Sequence, residues 1–191
     1  MNDFSDEMNE LESLIENNQY DLLINKLKDS FGIDIQGLED DIDENSGKVL
    51  VKYTSDEDYE LKYNYLSDSG FDLYSSEEIT LPPLGRALIP TGIKFDIPED
   101  FEIQVRSKSG LAINQGLMVL NSPGTVDQGY TGEVKVIIFN VNSTPFTITK
   151  GMKIAQGVVS RCTGGKWVNL VKIDKINNKD RNENGFGSTG I

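Results

Sequence analysis

Three stretches of this sequence gather residue types that can act on phosphates. In PGTVDQGYTGE, residues 123–133, a carboxylate (Asp127) and an aromatic ring (Tyr130) sit among turn-forming glycines. A carboxylate there can take a proton from water, although an Asp and a Gly also serve turn geometry alone. In RSKSGLA, residues 106–112, the cations Arg106 and Lys108 and the hydroxyls of Ser107 and Ser109 precede Gly110 and a short helical pattern. Charge, hydroxyls and free backbone N–H groups would converge where a phosphate could sit, or would simply cap a helix. In GFGSTG, residues 185–190, preceded by Arg181, flexible backbone and two hydroxyls can wrap an anion while Phe186 offers a face to a base. A solvated tail would have the same composition.

Composition narrows the chemistry. The 191 residues hold no histidine and a single cysteine, Cys162, which excludes internal disulfides, cysteine-cage zinc and the commonest general base. Carboxylates, hydroxyls, backbone groups and a hard cation such as Mg²⁺ remain. The net charge of -13 argues against a phosphate partner until it is divided along the chain. Residues 1–60 carry 18 acids and 4 bases, whereas residues 61–191 carry 13 acids and 14 bases, so the remainder can bind anions. No apolar run approaches the ~18 residues of a membrane span, and the first residues are acidic where a secretory signal would be basic. A cytoplasmic location is expected, with neither a membrane nor a nucleic acid as partner.

The elements that must position these residues follow from periodicity. Leu11, Leu14, Ile15, Leu22, Leu23, Leu27 and Phe31 fall mostly at helical spacing, interrupted by Asn17, Asn18 and Gln19, so residues 6–31 read as two short helices or one broken one. The acidic, glycine-flanked stretch 37–47 reads as a solvated linker, which sets a boundary near residue 47. Beyond it, β-branched and aromatic runs at 48–53, 70–74, 86–95, 101–105, 132–141, 146–149, 154–160 and 167–173 are separated by turn signals. They predict an all-β barrel or double sheet whose one short helix spans 107–114, with 123–133 as a hairpin loop. Residues 177–191 are polar and glycine-rich, and read as a C-terminal arm.

The order of these motifs resembles the homotrimeric dUTPase (dUTP pyrophosphatase) family across about residues 69–190. SGFDL at 69–73 is similar to the family's first motif, RSKSGLA to the second, NSPGTVDQGYTGE from Asn121 to the third, KGMKIAQGVV from Lys150 to the fourth, and RNENGFGSTG from Arg181 to the fifth. The resemblance implies a distorted jelly-roll β-barrel over 48–176 followed by a mobile arm over 177–191, whereas the acidic helical extension and linker over 1–47 have no counterpart in the compact family members. It implies hydrolysis of dUTP to dUMP and pyrophosphate, which keeps uracil out of DNA and supplies dUMP for dTMP synthesis.

The same resemblance assigns roles. Asp127 would activate the water that attacks the α-phosphorus, in agreement with the carboxylate base left by composition. Tyr130 would pack under the deoxyribose and exclude a ribose hydroxyl, while Asn121, the backbone of Thr125 and Val126, and Lys135 would read the edge of uracil. Phosphates would fall to Lys108, Ser109, Gly110 and Gln156, and to Arg181, Gly187, Ser188 and Thr189 of the arm, with Phe186 stacking on the base as the arm closes. Mg²⁺ would ride mainly on the substrate phosphates, with Asp72 as a partner through water.

Two positions depart from the family pattern: Lys108 stands where arginine is usual, so the bidentate fork is absent, and Gly157 stands where a larger apolar residue is usual. Because the family shares each site among three subunits, a homotrimer is expected. A dCTP deaminase shares the fold but uses a glutamate and lacks GFGSTG. A regulatory protein on the same scaffold, working through a protein partner of the extension, is the other alternative.

Overall fold

The computed structural model describes residues 10, 11, 13, 14, 20–31, 42–43 and 48–180. Helix α1 (Tyr20–Phe31) is joined to the helical residues 10, 11, 13 and 14 by a Lys26–Glu10 ion pair, and Leu11 is buried. The turn-prone residues 17–19 lie outside the described residues. Inside the stretch expected as linker, β1 (Ile42–Asp43) pairs antiparallel with β2 (Lys48–Val49), so the boundary expected near residue 47 falls within a small ladder.

The rest is β structure. One sheet runs β10 (Gly124–Val126), β8 (Phe101–Arg106), β13 (Lys153–Arg161), β4 (Phe71–Tyr74), and a second runs β6 (Arg86–Pro90), β11 (Lys135–Asn140), β9 (Leu117–Val119). Two-stranded ladders join β12 (Phe146–Ile148) to β5 (Ile79–Leu81) and β3 (Lys52–Ser55) to β7 (Ile93–Asp96). Every pairing is antiparallel, as an all-β jelly-roll barrel requires. The alternation in β11 explains the packing: Val136 and Ile138 turn inward, Lys135 outward, and their β-branched neighbours Ile103, Val105, Ile89 and Val119 close the core. Each such side chain contributes roughly 1.5–3 kcal/mol by leaving water.

Asn140 is a buried polar residue of that core. Its side-chain amide donates to the carbonyls of Pro82 (3.1 Å) and Thr144 (2.9 Å), and its oxygen accepts from the Asn142 backbone (3.0 Å). These bonds replace the ones its amide would make to water and so offset the cost of burying it.

Several sequence expectations change. The run 86–95 is two strands, split at Thr91 and Gly92, where Gly92 takes the left-handed φ of 70° that glycine tolerates. The expected hairpin at 123–133 is a crossing between sheets: β10 pairs with β8, whereas β11 pairs with β6 and β9. The expected helix at 107–114 is α2 (Ser109–Gln115), closed by Gly116 in the left-handed conformation. Residues 167–173 form no strand. They leave the end of β13 through a turn in which Trp167 N–H donates to the Gly164 carbonyl, and Leu170 is 91% exposed. The segment is rich in aromatic and β-branched residues, but none of the described strands pairs with it. No helix among the described residues is long and apolar enough to cross a membrane.

Candidate active site

The crossing from β10 to β11 walls a cavity of about 290 Å³ whose lining includes Asn121, Thr125, Val126, Asp127, Tyr130 and Lys135. All of the residues expected to read base and sugar, and the expected base Asp127, therefore meet in one place. Asp127 is exposed on its wall. The Tyr130 N–H donates to the Asp127 carbonyl (2.9 Å), closing a turn, and the phenol donates to the Glu133 carbonyl (2.9 Å). A Cβ at Gly132 would come within 2.7 Å of the Tyr130 ring, so glycine there is what allows the ring to fold back. The residue stays 48% exposed and lines the cavity.

Glu133, not singled out in the sequence, clasps this crossing to the β6–β7 turn. Its Oε1 accepts the Gly92 N–H (2.9 Å), its Oε2 pairs with Lys135 Nζ (3.3 Å), and beside it the Thr91 hydroxyl donates to the Val134 carbonyl (2.6 Å). Burial pushes the Glu133 carboxyl upward, but the Gly92 N–H and Lys135 outweigh it and hold the group below its ordinary value of 4.5. A folded-state value below the unfolded one means that the clasp stabilises the fold above the ordinary value and loses that contribution as pH falls through the folded one. The denaturant midpoint should therefore drop as pH is taken from about 6 to about 3, and part of that drop should vanish in Glu133→Gln. Equal slopes for the variant and the parent would contradict the clasp.

The residues expected to handle phosphate lie elsewhere in the chain. Lys108 precedes α2, and Ser109 and Gly110 stand exposed in its first turn. Ser107 is not a cap: its Oγ accepts the Val119 N–H (2.9 Å), its own N–H donates to Ser122 Oγ (3.2 Å), and its carbonyl accepts from Gln156 Nε2 (3.0 Å). Across the sheet, Asp72 faces Gln156, which faces Arg106, so a polar row runs over β4, β13 and β8. Asp72 is buried in that row with both carboxylate oxygens engaged, one by Lys108 and the other by Lys153 at 2.6 Å. Burial pushes its carboxyl up, and the two lysines outweigh this and hold it below the ordinary 3.8.

None of Asp72, Lys108, Ser109, Gly110 and Gln156 lines the cavity of Asp127. In one chain, the residues read as a single site occupy two places. Arg181, Phe186, Gly187, Ser188 and Thr189 lie outside the described residues.

The donor set bears on Mg²⁺. Among the described residues no three carboxylate, cysteine or histidine side chains group to hold a metal, and Asp72, expected as an outer partner, is occupied by ammonium groups. The described residues thus form no carboxylate cage for the ion.

Gly157 finds its explanation here. A Cβ at this position would lie 2.6 Å from the Phe71 ring, which fills the space of the larger residue usual there.

The β body, with a carboxylate-and-ring pocket and a lysine-bearing polar row, defines a jelly-roll protein equipped for phosphate ligands. The chain belongs to the dUTPase family, whose model matches residues 59–190. It is 45% identical over 144 residues to the deoxyuridine 5'-triphosphate nucleotidohydrolase of Clostridium novyi (strain NT), covering 75% of this chain and 99% of that protein. It is 46% identical over 133 residues to that of Rhizobium rhizogenes, covering 68% and 83%. Among solved structures it resembles a Staphylococcus bacteriophage 80alpha dUTPase variant with dUpNHpp, at a TM-score of 0.67 and 23% identity over 74% of this chain and 99% of that one.

Proposed function

We propose that this chain hydrolyses dUTP to dUMP and pyrophosphate. The observation that carries the reading is the cavity in which Asp127, Tyr130, Asn121 and Lys135 meet, in a chain 45% identical to a named dUTP nucleotidohydrolase. Asp127 orients a water and takes its proton as the oxygen attacks the α-phosphorus. The bond from that phosphorus to the bridging oxygen breaks on the opposite side, and pyrophosphate leaves. Tyr130, held by its bond to the Glu133 carbonyl, places its ring under the deoxyribose, where a 2′-hydroxyl would clash. Asn121, the backbone of Thr125 and Val126, and Lys135 pair with the uracil edge, in a space that leaves no room for the thymine methyl.

Lys108, Ser109, Gly110 and Gln156 receive the phosphates, and Arg181, Gly187, Ser188 and Thr189 close over them while Phe186 stacks on the base. Mg²⁺, when bound with the substrate, would supply charge neutralisation beside that of Lys108. Fixed positions and charges do the remaining work.

A homotrimer with shared sites completes this reading. Two observations support it: the separation of pocket and polar row within one chain, and an outward apolar patch on the second sheet, where Leu88 pairs with Ile137 and Met118 with Phe139. Residues 1–47 then form an extension outside the catalytic body 48–176, and 177–191 its closing arm.

Product analysis tests the reaction. One dUMP and one pyrophosphate should appear for each dUTP consumed in the presence of Mg²⁺. Ammonia released from dCTP would instead establish a deaminase.

A further inference from the structure

We propose that Lys153 is a second phosphate-contacting cation of the active site, supplementing Lys108 at the triphosphate end of the substrate. The proposal rests on the dUTPase reading and extends it to a residue outside its expected site.

Stoichiometry is the first argument. Asp72 is 7% exposed, and it is the carboxylate paired with both Lys108 and Lys153. One carboxylate between two ammonium groups leaves a unit positive charge, and a buried carboxylate holds that charge in place. Arg106, in the same cross-strand row, has its guanidinium bonded to the neutral Gln104 amide oxygen, so it adds a further positive charge there. An assembly serving only to neutralise Asp72 would need one lysine.

The second argument is aim. β13 pairs regularly with β4 from Gly157 to Ala155, then the register shifts so that Lys153 stands opposite Tyr74. Without that irregularity Ile154 would be opposite Tyr74, and Lys153 would share the inward face of Ala155. The bulge therefore moves Lys153 onto the face of Asp72 and Gln156. Its ammonium lies 5.8 Å from the centroid of the Tyr74 ring and bonds Asp72, yet the side chain remains 46% exposed, against 26% for Lys108. The group is anchored on one side and open to solvent on the other, as a cation that meets an incoming anion must be.

The third argument is need. Lysine at 108 presents a point charge and not a planar fork, so it cannot grip two phosphate oxygens in parallel. Two lysines spread across one carboxylate replace that fork with separated charges, which suits a polyphosphate carrying several oxygens. Contacts of this kind gain strength with the number of phosphates on the ligand and hardly depend on the base.

Full-length protein, Lys153→Met and Lys153→Arg are compared by calorimetric titration with dUpNHpp and with dUMP, alongside their denaturant midpoints and the steady-state kinetics of dUTP. Lys153→Met should weaken dUpNHpp binding about ten-fold while dUMP binding changes by less than about two-fold, and Lys153→Arg should restore the dUpNHpp affinity. Equal weakening of both ligands would overturn the proposal and leave Lys153 as a prop for Asp72. So would unchanged dUpNHpp affinity in a variant with the parental midpoint. Turnover of dUTP by the parent protein is measured first: its absence overturns the dUTPase reading and this proposal together, whereas turnover with the wrong ligand pattern overturns this proposal alone.

Discussion

Asp127→Asn should lower kcat for dUTP by about 10²- to 10⁴-fold, the usual worth of a positioned general base, and leave the affinity for dUpNHpp nearly unchanged. The substitution keeps the size of the side chain and its capacity to accept one hydrogen bond, and removes only the ability to take a proton. Position 127 is exposed on the cavity wall, outside the packed core, so the fold should not register the change. Steady-state kinetics with dUTP and titration with the non-hydrolysable analogue separate the two quantities. Loss of binding with kcat preserved would refute the assigned role, because a base acts in the transition state and not on ground-state affinity.

A chain ending at Asp180 should lose on the order of a hundred-fold in kcat/KM for dUTP, since it forfeits the charged contacts of Arg181, the hydroxyls of Ser188 and Thr189 and the ring of Phe186. Its thermal midpoint should match the parent's, because the truncated chain keeps the whole core cluster of the described residues, which runs from Phe71 to Ala155. Restoring Phe186 alone should not suffice if the arm acts through several contacts at once, as proposed. Unchanged kcat/KM would show that residues 181–191 take no part in the reaction.

The cavity of Asp127 was legible in the sequence because its expected residues are close in the chain: Asn121 to Lys135 span one stretch, and a motif of neighbouring residues carries its own geometry. The polar row was only half legible. Asp72, Lys108 and Gln156 come from three motifs joined by the Lys108–Asp72 ion pair and the Asp72–Gln156 strand register, and Lys153, the second cation on Asp72, is placed on that face by a bulge that no periodicity announces. Glu133 was hidden for a similar reason, since its partner Gly92 lies 41 residues away in a turn inside what reads as one continuous run.

Fold class was plain from the succession of β-branched runs, but β5, β9 and β10, at three residues each, are too short to display a period. The segment 167–173 errs the other way: its aromatic and β-branched composition suits a strand, but none of the described strands pairs with it. Gly157 was an anomaly in sequence and is ordinary packing in space, its missing side chain replaced by the ring of Phe71.

The account's central claim, a pocket that selects deoxyuridine and a carboxylate that hydrolyses its triphosphate, is tested most directly by initial rates of the purified protein with Mg²⁺ on dUTP, dCTP, dTTP and UTP under identical conditions. It predicts a kcat/KM for dUTP at least about a hundred-fold above each of the other three, because each competitor either clashes with the cavity or leaves a buried polar group unpaired. Comparable rates on all four nucleotides, or a preference for any other than dUTP, would contradict it.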